Sequence, residues 1–207
     1  MDGIIIQEPL PGSIDSISVR GGISDALGAR RDVDGSFFKH GYMHCTAMGI
    51  YFLLRFLYGK ALTGKPVAVI GRSKAVGLPI AEMLCRNLDM NVCVVHSRSG
   101  LQRINSICLL PFVVSCTGKP RLVKKIFDSQ TNRVYIDVGF GRDKNGKPCG
   151  DIDPGLAEDS LGDLVTPVPG GVGPLTVAAL MMNAAFGRSP LELWTELREE
   201  QKNFDQN

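Results

Sequence analysis

Hydrophobic positions change their spacing several times along the chain, and each change marks an element. The earliest run, Ile4-Ile5-Ile6, is β-branched and closed by Pro9 and Pro11, which predicts a short buried strand and then a turn. Residues 13–39 are rich in Gly, Asp and Arg, with little periodicity. Residues 46–58 switch to helical spacing, with Ile50, Leu53, Leu54 and Leu57 on one face. The clearest βαβ pattern follows. Pro66–Ile70 reads as an apolar strand, Gly71-Arg72-Ser73 as a turn, 76–88 as a helix and Asn91–Val95 as the next strand. The unbroken apolar run of this second strand predicts parallel pairing with cover on both faces. Further strands are predicted at Phe112–Ser115, 134–138 and Leu164–Val165, separated by short helical stretches at 122–127 and 154–158.

Two helices are predicted to close the chain. The first, 174–186, opens on Pro174, stops before Gly187 and is apolar nearly all round, which predicts burial. The second begins at Ser189-Pro190-Leu191-Glu192, a capping box with proline at the first helical position. It carries a stripe of Leu193, Trp194 and Leu197 before a polar tail. Alternating strands and helices from about Leu62 onward predict an α/β fold with a doubly wound parallel sheet.

Composition narrows the class without naming it. A hydrophobic share of 44% with 21% charged residues is ordinary for a globular core. A net charge of +2 is too mild to predict a nucleic-acid or membrane-surface partner. The best apolar stretch, 175–186, is broken by Thr176 and Asn183 and falls short of the roughly 20 residues of a membrane span. Met1-Asp2-Gly3 has no basic flank of a secretory signal. Cys45, Cys85, Cys93, Cys108, Cys116 and Cys149 are scattered, with no Cys-x-x-Cys pair or Cys/His cluster of zinc spacing. They predict buried reduced thiols in an intracellular protein, and no metal site.

Gly71 to Gly77 lies between a strand and a helix, where a Rossmann-type fold holds phosphate against helix N–H groups. Gly71 permits a tight turn and Gly77 a close helix. The spacing is not Gly-x-Gly-x-x-Gly, so a plain strand-to-helix turn without a ligand reads equally well. The second strand tips the balance. It runs out into His96-Ser97-Arg98-Ser99, without the acid that would bind the ribose 2′-hydroxyl of NAD. Arg72 and Arg98 there suit a 2′-phosphate, which predicts NADP; the alternative is two arginines merely solvated at a loop.

The most specific segment is Thr166-Pro167-Val168-Pro169-Gly170-Gly171-Val172-Gly173-Pro174-Leu175-Thr176, a stiff, bare-backboned loop feeding a helix. Alone it says nothing of a ligand. It occurs in order behind Ile5-Ile6-Gln7-Glu8-Pro9-Leu10-Pro11, Arg31-Asp32-Val33-Asp34-Gly35, Cys45-Thr46 with Gly49, Val69-Ile70-Gly71-Arg72-Ser73 with Val76-Gly77, His96-Ser97, Thr117-Gly118-Lys119-Pro120 and Ile136-Asp137-Val138-Gly139. Together these blocks resemble the bifunctional methylenetetrahydrofolate dehydrogenase/methenyltetrahydrofolate cyclohydrolase family, from Gly3 to about Phe186.

The resemblance implies a Rossmann-type NADP domain at 62–172, preceded by the remnant of an N-terminal α/β folate domain at 1–45 and an inter-domain helix at 46–61. The C-terminal helices occupy 173–207, the first packing back toward the N-terminal domain. It implies that Gln7 and Asp34 take part in catalysis, with Ile6, Gln7, Glu8, Asp34, Pro169, Gly170, Gly171, Val172 and Gly173 binding substrate. Gly71, Arg72, Ser73, Ser97 and Arg98 would hold NADP, with Phe140 near the nicotinamide. The implied chemistry is hydride transfer from 5,10-methylenetetrahydrofolate to NADP, then hydrolysis of the methenyl product to 10-formyltetrahydrofolate. A homodimer in the cytoplasm or mitochondrion is expected, with tetrahydrofolate derivatives as ligands.

The match breaks at one place. The family pattern has a Tyr-x-x-x-Lys pair before the Gln7 segment, and none of Tyr42, Tyr51, Tyr58 or Tyr135 is followed by lysine at that spacing. Tyr51 and Arg55 have the spacing but stand later in the chain. The expectation is a chain that starts inside the first domain, whose hydrolytic step is impaired unless Lys39 or Arg55 substitutes. A non-catalytic NADP-binding module and an unrelated Rossmann dehydrogenase are the alternatives. Glu8 and Ala47 stand where the family pattern has an apolar residue and proline.

Overall fold

The computed structural model describes residues 3–6, 10–12, 14, 18–19, 22, 31–35, 42–124, 132–158 and 162–186. The chain divides into two compact units: Gly49–Leu175, and Met1–Met48 with Thr176–Asn207.

Seven strands are described: β1 Pro66–Ile70, β2 Asn91–Val95, β3 Phe112–Ser115, β4 Val134–Asp137, β5 Gly141–Arg142, β6 Pro148–Cys149 and β7 Leu164–Val165. Five form one sheet in the order β2-β1-β3-β4-β7, every pairing parallel. β1 places Ile70 opposite Val95 on one side and Ser115 on the other, so connections leave it in opposite directions. In an open α/β sheet, ligands bind at such a switch point, beyond the carboxyl ends of the strands. The helices are α1 Cys45–Tyr58, α2 Gly77–Leu88, α3 Leu101–Ile107, α4 Gly155–Glu158 and α5 Val172–Phe186.

Period-two alternation sorts the central strands onto two covered faces. Ala68, Ile70, Val113 and Tyr135 pack with Val95, Ile104, Val123, Ile152 and Leu156 in one cluster, while Val67, Val69, Val114 and Ile136 between them are equally buried. The Tyr135 hydroxyl satisfies itself by donating to the Cys108 carbonyl at 3.3 Å.

Several expectations are corrected. β2 is an edge strand, not one covered on both faces: Asn91 is exposed and Val94 is 37% exposed, because an apolar run cannot tell an edge from a centre. Among the described residues the Ile4 run makes only an isolated parallel bridge, to Asp32, and Ile5 lies exposed. In α1 the buried stripe is Ala47, Met48, Ile50, Tyr51 and Leu54, whereas Leu57 faces out. The predicted helix at 122–127 does not form at 122–124, where Val123 bridges Ile152 in parallel; 125–127 lie outside the described residues. α5 is not buried all round. Val177, Met181 and Phe186 are each more than half exposed, and its polar Asn183 is fully buried. An all-apolar helix has no moment to announce its packed face. The thiols are not uniformly buried either: all six are free, but Cys85 is exposed and Cys93, Cys116 and Cys149 are partly so.

Two elements carried too little pattern to be seen. α3 is only seven residues long; it buries Ile104 in the cluster and packs Ile107 against it. The β5–β6 hairpin is only two residues deep, closed by the Asp143 carboxylate accepting from the amides of Asn145 and Lys147 at 2.8 and 2.9 Å. Those amides hold the Asp143 carboxyl below its usual range. The predicted helix at Ser189 lies outside the described residues.

In the other unit, Asn183 Nδ2 donates to the Val33 carbonyl at 2.7 Å, and the Cys45 thiol donates to the same carbonyl at 3.4 Å. The Asp34 carbonyl accepts from the Cys45 amide at 3.1 Å, at the start of α1. Gly35 is required there: its φ is +68°, and a Cβ would strike the Met43 carbonyl.

Candidate functional site

The turn after β1 is built by contact between backbones. Gly71, at φ +118°, donates its amide to the Val95 carbonyl at 2.8 Å, and a Cβ on it would lie 2.8 Å from both the carbonyl oxygen and Sγ of Cys116. A Cβ on Gly77 would collide with the Gly71 carbonyl. The two glycines therefore bring the ends of β1 and β3 and the start of α2 together. Ser73 caps that start. Its Oγ accepts from the amides of Val76 and Gly77, each at 3.2 Å, which leaves its own proton to donate elsewhere.

The exits of β2 and β3 are tied down as firmly. After β2, the His96 amide donates to Ser99 Oγ at 3.1 Å and the Arg98 amide to His96 Nδ1 at 3.2 Å. After β3, the Cys116 amide and thiol both donate to the Ile70 carbonyl, at 2.9 and 3.2 Å. Burial, then the Asp151 carboxylate, pushes the Cys116 thiol up to about 12, so it stays neutral. Asp151 Oδ2 accepts from Ser115 Oγ at 2.9 Å and from Thr117 N and Oγ1 at 2.6 and 2.9 Å.

Between these exits opens a cavity of about 420 Å³, at the switch point. Gly71, Arg72 and Ser73 line it from β1; His96, Ser97 and Gly100 from β2; Cys116, Thr117 and Lys119 from β3; Ile70, Ile104 and Leu122 supply apolar surface. The lining holds two basic side chains, Arg72 and Lys119, and no carboxylate. Its chemistry fits an elongated anion with apolar planar parts. Phosphate would meet the amide end of α2, Ser73 and Arg72.

Of the predicted nucleotide residues, Gly71, Arg72, Ser73 and Ser97 line this cavity. Arg98 and Phe140 do not; Phe140 is 65% exposed, immediately before β5. Lys119, Thr117 and Cys116 were not assigned from sequence, although Thr117-Gly118-Lys119-Pro120 stands out as a block, and neither were His96 and Gly100. Of the predicted folate residues, Gln7 and Glu8 lie outside the described residues, as does Lys39. Ile6 is half-buried. Asp34, also half-buried, is the largest contributor after burial in pushing the Cys45 thiol up to about 12. In the 166–176 loop, Gly171 donates its amide to the Pro167 carbonyl at 2.9 Å, and a Cβ there would press on that same oxygen. Pro169, Gly170 and Gly173 are exposed, and Val172 is buried. Arg55 is already committed: it donates to the Gly59 carbonyl at 3.1 Å and lies 5.9 Å over the Tyr51 ring.

Among the described residues no cluster of side chains is arranged to hold a metal, and no helix is long and apolar enough to cross a membrane.

Comparison with known proteins agrees with this geometry. Residues 44–188 match the model of the tetrahydrofolate dehydrogenase/cyclohydrolase NAD(P)-binding domain. The bifunctional protein FolD of Lachnoclostridium phytofermentans is 37% identical over 201 residues, covering 92% of this chain and 68% of the relative. FolD of Aquifex aeolicus is also 37% identical, covering 88% of this chain and 63% of the relative. The chain thus spans about two thirds of the length of these curated relatives. Among solved structures, Trypanosoma brucei N5,N10-methylenetetrahydrofolate dehydrogenase-cyclohydrolase, complexed with NADP cofactor and inhibitor, aligns at TM-score 0.75 and 32% identity. That alignment covers 89% of this chain and 66% of the other. The FolD enzyme of Campylobacter jejuni aligns at TM-score 0.75 and 29% identity over 89% of this chain and 66% of the other. A parallel sheet with its crevice at the β1/β3 reversal, a helix-capping serine, a cationic acid-free lining and this match over residues 44–188 have one reading: the chain belongs to the tetrahydrofolate dehydrogenase/cyclohydrolase family.

Proposed function

We propose that this chain binds NADP in the β1/β3 crevice and serves the oxidation of 5,10-methylenetetrahydrofolate and the hydrolysis of its methenyl product to 10-formyltetrahydrofolate. The observation that carries the reading is the cavity lining, with Arg72 and Lys119 present and no acid where NAD-binding folds put one. Bound NADP supplies the hydride acceptor. The chain's residues orient it: the α2 amide end and Ser73 take phosphate, Arg72 and Ser97 face the 2′-phosphate, and Ile70, Ile104 and Leu122 exclude water from the apolar parts. Arg98 and Phe140 are proposed to close on the cofactor's two ends from outside the cavity. Ile6, Gln7, Glu8, Asp34 and the backbone of Pro169, Gly170, Gly171, Val172 and Gly173 are proposed as the folate contacts, Asp34 accepting from the donor edge of the pterin.

The two activities make different demands. Hydride transfer depends on placing donor and acceptor. Hydrolysis also needs a positioned proton-transfer group, typically worth 10²–10⁴-fold. A second reading takes these residues as an NADP-binding module, and it is favoured by the match of residues 44–188 to the NAD(P)-binding domain. A homodimer is proposed from the same family reading, and bacterial FolD relatives favour the cytoplasm over the mitochondrion.

The test is calorimetry with NADP and NAD. NADP should bind more tightly, and Arg72→Ala should cost it about 1.5–3 kcal/mol while sparing NAD. Equal affinities in wild type and variant would reject the reading. Formation of NADPH at 340 nm, followed beside methenyltetrahydrofolate loss, separates the two chemistries.

A further inference from the structure

Of the residues that line the cavity from the β3 side, Cys116 is held to the Ile70 carbonyl and Thr117 to one buried carboxylate. Asp151 is 1% exposed and stands just after β6. Its Oδ2 gathers three donors: Ser115 Oγ at the end of β3, and the amide and hydroxyl of Thr117, at 2.6 to 2.9 Å. Thr117 Oγ1 in turn accepts from the Lys119 amide at 3.2 Å. A chain of bonds therefore runs from Asp151 through Thr117 to Lys119, the cation on this flank of the cavity.

Asp151 is itself held from below. Its amide donates to Asp137 Oδ1 at 3.0 Å, and the amides of Gly139 and Ile152 donate to the same carboxylate at 2.9 and 2.8 Å. Each acid rests on a glycine beside the other. A Cβ on Gly139 would strike the Asp151 carboxylate, and one on Gly150 the Asp137 carboxylate. Asp151 Oδ1 is buried without a hydrogen-bond partner, packed over Gly139. A carboxylate so buried is costly unless its bonds are strong, and the three on Oδ2 are the return on that cost.

We propose that Asp151 is a positioning residue of the nucleotide site: through Thr117 it fixes the β3 wall of the crevice, the part that holds the nicotinamide half of the dinucleotide. This rests on the nucleotide reading above. The strand order supplies the division of labour. β1 contributes the phosphate-facing turn at the middle, β2 flanks it on one side with Ser97, and β3 on the other with Thr117 and Lys119. If the 2′-phosphate lies toward Ser97, the part of the ligand beyond the pyrophosphate lies toward Thr117. Neither Asp151 nor Asp137 lines the cavity, so Asp151 acts only through the loop.

The experiment measures NADP and 2′,5′-ADP, its adenosine half, by calorimetry on the full chain with Asp151→Asn, Thr117→Val and Thr117→Ser. Thr117→Val deletes the bond to Asp151 from the hydroxyl while keeping side-chain volume; Thr117→Ser retains it. Expected are at least tenfold losses of NADP affinity in Asp151→Asn and Thr117→Val, less than twofold change for 2′,5′-ADP, and recovery to within threefold in Thr117→Ser. Equal losses on both ligands would make Asp151 a general support of the fold and overturn the assignment. So would unchanged NADP affinity in Thr117→Val with a wild-type melting profile. A wild-type chain that binds neither ligand would instead overturn the nucleotide reading itself.

Discussion

The two units hold themselves together by different means. In Gly49–Leu175, four strands share continuous parallel ladders, and the loops at their carboxyl ends are pinned by buried acids that accept backbone amides. In the unit of Met1–Met48 and Thr176–Asn207, the described residues pair through one isolated bridge, Ile4 with Asp32. There, side chains such as Asn183 and Cys45 do what a ladder does elsewhere, both donating to Val33. Ladders spread stability over many similar bonds. A single amide side chain concentrates it, so the first unit should fail through crowding and the second through deletion.

The largest effect is expected at Gly139. Alanine there drives a methyl into the Asp151 carboxylate, with a buried acid on one side and β4 on the other. A loss of about 3 kcal/mol or more in urea unfolding is expected. A loss under 1 kcal/mol would mean the acid pair yields easily.

A smaller effect comes from pH. Burial raises the Asp137 carboxyl to about 6, outweighing the three amides that pull it down. Between its unfolded value near 3.8 and 6, the folded chain keeps a proton the unfolded chain has released, so stability falls as pH rises through that window and levels above it. A fall of roughly 2–3 kcal/mol is expected from this group. Asp137→Asn should flatten that part of the profile; a variant with the wild-type slope would assign the slope elsewhere.

Smallest, and confined to the other unit, is Asn183→Ala. It takes one donor from the Val33 carbonyl and should cost about 1–2 kcal/mol. Hydrogen exchange should quicken at residues 31–35 and 45–48 while NADP affinity stays within twofold. Slowed or unchanged exchange would break the contrast between the units.

How much was legible follows the same division. Pro66–Ile70, Asn91–Val95, Phe112–Ser115 and Leu164–Val165 fall where their apolar runs predict; β1 and β3 lie between layers and must be apolar throughout, while the edge strands β2 and β7 carry the same kind of run although Val94 and Leu164 are exposed. Gly71, Arg72, Ser73 and Ser97 were legible because a strand-to-helix turn has few ways to present amides to an anion. Lys119 and Thr117 were not. They reach the cavity from a strand 45 positions on in register, Val67 opposite Phe112, and no local spacing records that. Asn183 misled for the opposite reason: a polar residue in an apolar helix reads as an interruption, yet the fold buries it completely.

The order β2-β1-β3 also sets a timetable. As the chain leaves the ribosome, β1 and β2 are separated only by α2 and can pair early, Pro66 with Asn91. The opposite edge of β1, Val67 to Ile70, has no partner until Phe112–Ser115 has been synthesised. During that interval a row of apolar, unpaired backbone stands open in the middle of the future sheet. The crevice comes into being only when β3 docks, so a nascent chain stalled before Phe112 has a phosphate turn with no opposite wall. It should be a client for chaperones before it is a receptor for any nucleotide.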